Sequence, residues 1–166
     1  MKYLVFSDLH GSAKAWNAIQ KAFEIEKADR YILLGDILGG YDGGDCSLAR
    51  DLALQKDRIV AVRGNCDYPE DEYSLGFPLP LEKQFLLGGM AVHLSHRPEC
   101  QREAGSIYLN GHTHRKTLCF VDGAILMNPG SCALPRDGVA SYGILEIGKA
   151  SLHRLDDCAL LQEILF

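Results

Sequence analysis

Short apolar runs alternate with polar stretches along this chain, and several runs stop abruptly at an acid, an asparagine or a histidine. The run at residues 2–7 is rich in strand formers and halts at Asp8-Leu9-His10-Gly11, which predicts a strand followed by a loop. Ser12 then stands as a helix N-cap. Ala15, Trp16, Ile19, Ala22 and Phe23 recur at helical spacing, which predicts an amphipathic helix over residues 13–27. A second strand is expected at 31–34, ending in Gly35-Asp36. It is followed by a glycine-rich loop through Gly39, Gly40, Gly43 and Gly44, a helix over 46–55, and a third strand at 59–62 that ends in Arg63-Gly64-Asn65-Cys66-Asp67. Three strand-helix units in a row predict βαβ crossovers and a largely parallel layer.

The pattern changes after Asp67. Residues 68–80 carry Pro69, Pro78 and Pro80 and read as an irregular excursion. Short apolar runs follow at 85–87, 90–94, 107–109, 118–121, 124–127, 142–147 and 151–155. Gly88-Gly89 and Asp122-Gly123 are hairpin signals, because glycine tolerates the positive φ that such turns demand. The C-terminal half is therefore expected to be strand-rich and partly antiparallel. With no repeat and no linker, the expectation is one domain over residues 1–166, built as two packed sheets flanked by helices.

The run at 107–109 leads into Asn110-Gly111-His112-Thr113-His114. Read as a continuing strand, His-x-His puts both imidazoles on one side, with Gly111 admitting a bend or a close neighbour. Neutral imidazole is a common transition-metal ligand. The other strand ends add Asp8 and His10, Asp36, Asn65 and His96. Ligands gather at the carboxyl ends of strands in open α/β sheets. Seven oxygen and nitrogen groups on one rim exceed a tetrahedral site and suit two metals sharing a carboxylate, for which Asp36 is the natural bridge. The absence of sulfur favours manganese, iron, zinc, cobalt or nickel over a thiolate-type structural zinc, with manganese the expected ion.

Composition narrows the setting more than the chemistry. At 166 residues, 47% hydrophobic and 23% charged, the chain can bury a sizeable core. Its net charge of −5 argues against general nucleic-acid binding. The cysteines at 46, 66, 100, 119, 132 and 158 show no Cys-x-x-Cys spacing, and no apolar segment reaches membrane-spanning length. The expected setting is the reducing cytoplasm, with the cysteines mostly buried thiols; homo-oligomerisation is left open.

The ordered motifs Asp8-x-His10, Gly35-Asp36, Gly64-Asn65-x-Asp67, the later His96 and Gly111-His112-x-His114 resemble the calcineurin-like metallophosphoesterases. Asn128-Pro129-Gly130-Ser131 and the short chain resemble the small bacterial YfcE-like phosphodiesterase group in particular. The resemblance implies an α/β fold, a four-layer αββα sandwich of two mixed sheets flanked by helices. It implies that Asp8, His10, Asp36 and His114 hold one metal, and that Asp36, Asn65, His96 and His112 hold the other. His10, Asp36, Asn65, Cys66 and Asp67 then form the catalytic group. The reaction implied is hydrolysis of a small phosphoester, a phosphodiester first, by water or hydroxide that two divalent ions activate. The alternatives are a phosphomonoesterase, or a non-catalytic interaction scaffold of the same fold.

Two departures from the family pattern stand out. Cys66 occupies the place of a histidine that helps protonate the leaving group, a variation similar to that of the YfcE-like group. His96-Arg97-Pro98 replaces a usual His-Gly-His. Outside the motifs, His93 is expected to be structural and His153 to lie at the surface. Asn128-Pro129-Gly130-Ser131 is expected to form a turn that could bring backbone donors near the site, and Tyr41, Tyr68 and Phe77 are candidates to line a substrate cleft.

Overall fold

The computed structural model describes residues 1–39, 46–99 and 101–166, with the backbone alone of Cys46. Most of the glycine-rich loop, Tyr41 within it, and Cys100 lie outside the described residues. Three parallel strands, β1 (Tyr3–Phe6), β2 (Arg30–Leu33) and β3 (Ile59–Ala61), form the expected layer. Its sheet is extended by three antiparallel strands, β9 (Ser141–Glu146), β10 (Lys149–Arg154) and β11 (Leu160–Leu165), in the order β11-β10-β9-β1-β2-β3. The second sheet contains β4 (Glu82–Leu87), β5 (Met90–Ser95), β6 (Ile107–Leu109), β7 (Lys116–Val121) and β8 (Ala124–Pro129), in the order β4-β5-β6-β8-β7. Both sheets are mixed, as expected for the α/β class.

The first helix, α1 (Ala13–Glu26), begins where the sequence places it: Ser12 Oγ accepts from Ala15 N at 3.2 Å. It ends at Lys27, whose φ of 52° is left-handed and whose N–H caps the Glu24 and Phe23 carbonyls. Its buried stripe lays Trp16 against Phe6 and Tyr31, with ring centroids 5.9 and 5.3 Å apart. With α2 (Cys46–Ala53) and α3 (Asp71–Leu75), it covers the outer face of the six-stranded sheet. A second core, from Val5, Ile32 and Val62 to Val92, Ile107 and Met127, fills the space between the sheets. Each fully buried side chain of this size contributes roughly 1.5–3 kcal/mol. The outer face of the five-stranded sheet meets the connection before β6, where Glu103 N donates to the Tyr108 hydroxyl at 2.9 Å and residues 101–106 contain no helix. Among the described residues no helix is long and apolar enough to cross a membrane.

Three local expectations change. The excursion at 68–80 contains α3, a five-residue helix closed by Gly76 at φ 71°. The edge strand β11 was hidden by Gln162 and Glu163 in its middle. Of the four cysteines described as free, only Cys132 is buried, while Cys66, Cys119 and Cys158 are partly exposed. Both hairpin signals hold: Gly88 and Gly89 join β4 to β5, Asp122 and Gly123 join β7 to β8, and all four have positive φ.

Candidate metal centre

The carboxyl ends of β1, β2, β3, β5 and β6 bring all seven expected ligands to one rim. Asp8, His10, Asp36 and His114 offer donor atoms that all lie within 4.8 Å of one another. His10 Nε2 and His114 Nε2 stand 3.4 Å apart, and His114 Nε2 is 3.2 Å from Asp8 Oδ1. On the other side of Asp36, His96 Nε2 lies 3.4 Å from Asp36 Oδ1 and 3.2 Å from Asn65 Oδ1. The His112 ring completes this second group, 5.1 Å from that of His96. Asp36 thus turns Oδ1 to His96 and Oδ2 to His10, the latter at 3.7 Å.

Backbone carbonyls fix the tautomers. Because a carbonyl oxygen only accepts, Nδ1 must carry the proton where His10 meets Gly39 O (3.1 Å), His96 meets Leu34 O (2.6 Å) and His114 meets Leu134 O (2.8 Å). Each neutral ring therefore turns the Nε2 lone pair inward, an arrangement typical of histidines oriented for a metal. Asp8 is fully buried, and neither carboxylate oxygen has a hydrogen-bond donor. Lone pairs facing a bare carboxylate are tolerable only with a cation among them or an added proton on a ring. A buried acceptor left unsatisfied costs about 1–3 kcal/mol. The donor set therefore fits a divalent ion.

The titration pattern follows from the same crowding. Burial raises the pKa of Asp8. Burial also pushes Asp36 upward, but the His96 ring when it is protonated, together with the Cys66 N–H, holds it well below the usual carboxylate range. Burial disfavours the charged form of His96, yet Asp36 and Leu34 O lift its pKa above the ordinary value. His112 is lowered by burial and by the neighbouring charges of His96 and Arg97.

Backbone strain marks the same residues. Asp8, His10, Asp36, His112 and His114 have φ of 57°, 46°, 52°, 65° and 58°. Left-handed backbone costs on the order of 1 kcal/mol for a residue with a Cβ, and such residues cluster at functional sites. This geometry corrects the expectation for His-x-His. β6 stops at Leu109, so the two histidines sit in a loop rather than on one side of a strand. The rings separate: His114 joins His10 and His112 joins His96. Two glycines permit the close approaches, since a Cβ on Gly64 would strike Asp36 and one on Gly111 would strike the Ser7 hydroxyl.

Several residues hold this rim without entering it. Asp67, expected among the catalytic group, spends both carboxylate oxygens on the backbone N–H of Asp36 (2.8 Å), Ile37 (2.6 Å) and Gly64 (2.7 Å). It is a positioning residue that ties the end of β2 to that of β3. Asn128 donates to Asn110 Oδ1 at 2.9 Å, Gly111 O at 2.7 Å and Thr113 Oγ1 at 3.1 Å, clamping the histidine loop with its side chain. Ser131 Oγ donates to Asp8 O at 2.9 Å. The Asn128-Pro129-Gly130-Ser131 motif signalled this region, although backbone donors rather than side chains were expected to act.

A cleft of about 600 Å³ opens over the cluster, with Cys66, Leu134, Pro135 and Arg136 along its walls. Cys66 N donates to Asp36 Oδ1 at 2.8 Å, and burial together with the Asp36 charge raises the thiol pKa. A second cavity, about 370 Å³, shares Asn65 with this cleft and is also lined by His96, Arg97 and Pro98. Phe77 is core rather than cleft lining, while Tyr68 is exposed. His93 stacks on Tyr108 at 4.5 Å, in keeping with a structural role. His153 is not a surface residue: it stacks on Tyr142 at 5.2 Å and meets Ser151 Oγ at 2.9 Å.

The chain matches the family model of the calcineurin-like phosphoesterase superfamily domain over residues 1–150. It is 31% identical over 183 aligned positions to phosphodiesterase YfcE of Escherichia coli strain K12, covering 99% of this chain and 97% of that protein. The solved structure of YfcE, a phosphoesterase from E. coli, superposes with a TM-score of 0.91 at 27% identity, covering 99% of both chains. The fold is also shared with Vacuolar Protein Sorting 29 from Cryptosporidium parvum, at a TM-score of 0.69 and 19% identity over 99% of this chain and 98% of that one. On the match across residues 1–150 and the near full-length similarity to YfcE, the chain belongs to the calcineurin-like phosphoesterase superfamily.

Proposed function

We propose that this chain is a dinuclear metal-dependent phosphodiesterase acting on a small phosphodiester, with residues 1–166 forming one domain around the centre. Asp8, His10, Asp36 and His114 would hold one divalent ion, and Asp36, Asn65, His96 and His112 the other, with manganese expected. When bound, such ions supply an activated water and neutralise charge on the phosphoryl group. The observation that carries the reading is Asp8: a fully buried carboxylate with no donor on either oxygen, beside an imidazole whose proton lies on its far nitrogen.

The residues of the chain set the remaining chemistry. Tautomer-fixing carbonyls keep the Nε2 atoms of His10, His96 and His114 aimed inward, and Asp67 keeps Asp36 in place between the two groups. Cys66 stays a neutral thiol at neutral pH, since burial and Asp36 disfavour the thiolate. With a thiol in place of an imidazole, proton delivery to the leaving group is weak. General-acid help is worth about 10²–10⁴-fold, so esters with good leaving groups are favoured. That preference, and the similarity to a protein described as a phosphodiesterase, support a diester substrate. The cytoplasm is the proposed setting, which the free thiols of Cys66, Cys119, Cys132 and Cys158 suit.

The test compares an aryl phosphodiester with an aryl phosphomonoester on manganese-loaded protein, with a chelated control. Diester turnover above monoester turnover, abolished by the chelator, is expected. Faster monoester turnover would overturn the diester preference, and no turnover with any divalent ion would leave the scaffold reading.

A further inference from the structure

The segment that follows Ser131 is bound to the candidate ligands at both of its ends. Ser131 Oγ accepts from Ala133 N at 3.2 Å and Leu134 N at 2.8 Å, Leu134 O accepts from His114 Nδ1 at 2.8 Å, and Arg136 N donates to His114 O at 3.0 Å. Pro135 stiffens the middle, because its ring fixes φ. The backbone of Arg136 is thereby set at a constant place on the cleft wall, on the same lining as Cys66, His10 and His114.

The charge of Arg136 is left available. The adjacent acid, Asp137, could neutralise it, but that carboxylate is used by Lys116: its oxygens take the ammonium at 2.6 Å and the Lys116 N–H at 2.8 Å. Among the described residues no carboxylate lies within ion-pair distance of the Arg136 guanidinium. Among the described residues that line this cleft the other basic groups are the candidate metal-ligating histidines, so Arg136 is its one permanently cationic side chain. A planar guanidinium matches phosphoryl oxygens through paired, charge-assisted hydrogen bonds.

We infer that Arg136 anchors the substrate by binding an anionic phosphoryl group in this cleft, held for that purpose by its backbone bond to His114. The inference rests on the phosphoesterase reading and adds a specificity residue to it. The anion is either the scissile phosphate or a second phosphate carried by the substrate. Arg136 therefore acts mainly on binding rather than on the chemical step.

Arg136→Ala and Arg136→Lys, each manganese-loaded, are assayed on a nucleoside aryl phosphodiester with and without an additional terminal phosphate. Losing a charged hydrogen bond is worth about tenfold or more in affinity. Arg136→Ala is expected to raise KM by about that factor with kcat nearly unchanged, and Arg136→Lys to recover only part of the loss, since an ammonium keeps the charge but not the paired hydrogen bonds. A rise with both substrates assigns the scissile phosphate; a rise only with the doubly phosphorylated one assigns the second. Calorimetric binding of inorganic phosphate should weaken in Arg136→Ala, while the manganese titration midpoint stays at the wild-type value. Unchanged KM on both substrates together with unchanged phosphate binding overturns the inference, as does a fall in kcat alone. Wild-type protein that binds phosphate through Arg136 yet turns over no ester would instead count against the enzyme reading only.

Discussion

Asp8, fully buried, and Glu26, partly buried, are both carboxylates beside histidines, and their surroundings differ in kind. Glu26 accepts from Lys2 Nζ at 3.0 Å and the Tyr142 hydroxyl at 2.9 Å, with His153 Nδ1 at 3.5 Å. His153 in turn meets Ser151 Oγ at 2.9 Å. Glu26, His153 and Ser151 even follow the order of a hydrolytic triad, but Ser151 is 2% exposed and closed to any substrate. Every polar atom of Glu26 is answered from within the chain, and its backbone is ordinary helix. Asp8 has no donor at all, sits in left-handed backbone, and faces lone pairs. The same residue types thus form a fastening in one place and a cluster of unsatisfied acceptors in the other. Unmet valence on strained backbone, rather than the presence of acid and histidine, distinguishes a binding site.

The contrast can be broken most severely at Asp36. Replacing it with asparagine removes the negative charge that lies between the two groups, and turnover on an aryl phosphodiester should fall below about a tenth of wild type, a loss of several kcal/mol in metal-mediated stabilisation. The fold should survive, as read by circular dichroism. Glu26→Gln, by comparison, should leave turnover at the wild-type level.

Removing the ion tests the same difference through stability. Protein stripped by a chelator and then given manganese should melt at a higher temperature, because an ion bound only by the folded state adds about 2.7 kcal/mol at a hundredfold excess over its dissociation constant. The gain should persist in Glu26→Gln and shrink in Asp8→Asn, which loses a ligand of one of the two ions. An unchanged melting curve in the wild type would contradict the coupling.

Glu26 should matter for stability alone. Burial opposes its ionisation, but the bonds from Lys2 and Tyr142 and the charge of His153 bring its pKa below the ordinary value. A depressed carboxylate stabilises the fold above the unfolded pKa and loses that contribution as pH falls through the folded one. Glu26→Gln should therefore cost about 1–2 kcal/mol at neutral pH, and the gap to wild type should close in acid below the ordinary glutamate range. Denaturant unfolding at several pH values measures it.

Cys66→His is the smallest of these changes. It places an imidazole next to Asn65 and should raise the ratio of alkyl to aryl phosphoester turnover, since only the poor leaving group needs a proton. An unchanged ratio in folded, metal-loaded variant would mean that Cys66 does not set the preference.

How much of this was legible in the sequence depends on distance along the chain. Ser12, the apolar stripe of α1 and both hairpin turns are local signals, and each appears where expected. The ligand residues were legible because they follow apolar runs in a fixed order. Strand alternation could not foretell their division, because the left-handed backbone at His112 and His114 sends the rings to different groups; the family resemblance had implied that division. The two carboxylates Asp67 and Asp8 look alike as letters. Only the fold reveals that Asp67 meets three backbone N–H groups and Asp8 none. His153 and Phe77 were misplaced for a related reason, since their partners Glu26 and the core beside α1 lie far away in sequence.

The central claim is that the rim around Asp36 is completed by two divalent ions. Calorimetric titration of manganese into stripped protein tests it most directly. The account predicts two ions per chain in the wild type and in Glu26→Gln, and fewer in Asp8→Asn and Asp36→Asn. Wild-type protein that takes up no ion, or an Asp8→Asn variant that binds as many ions as tightly as wild type, would contradict it.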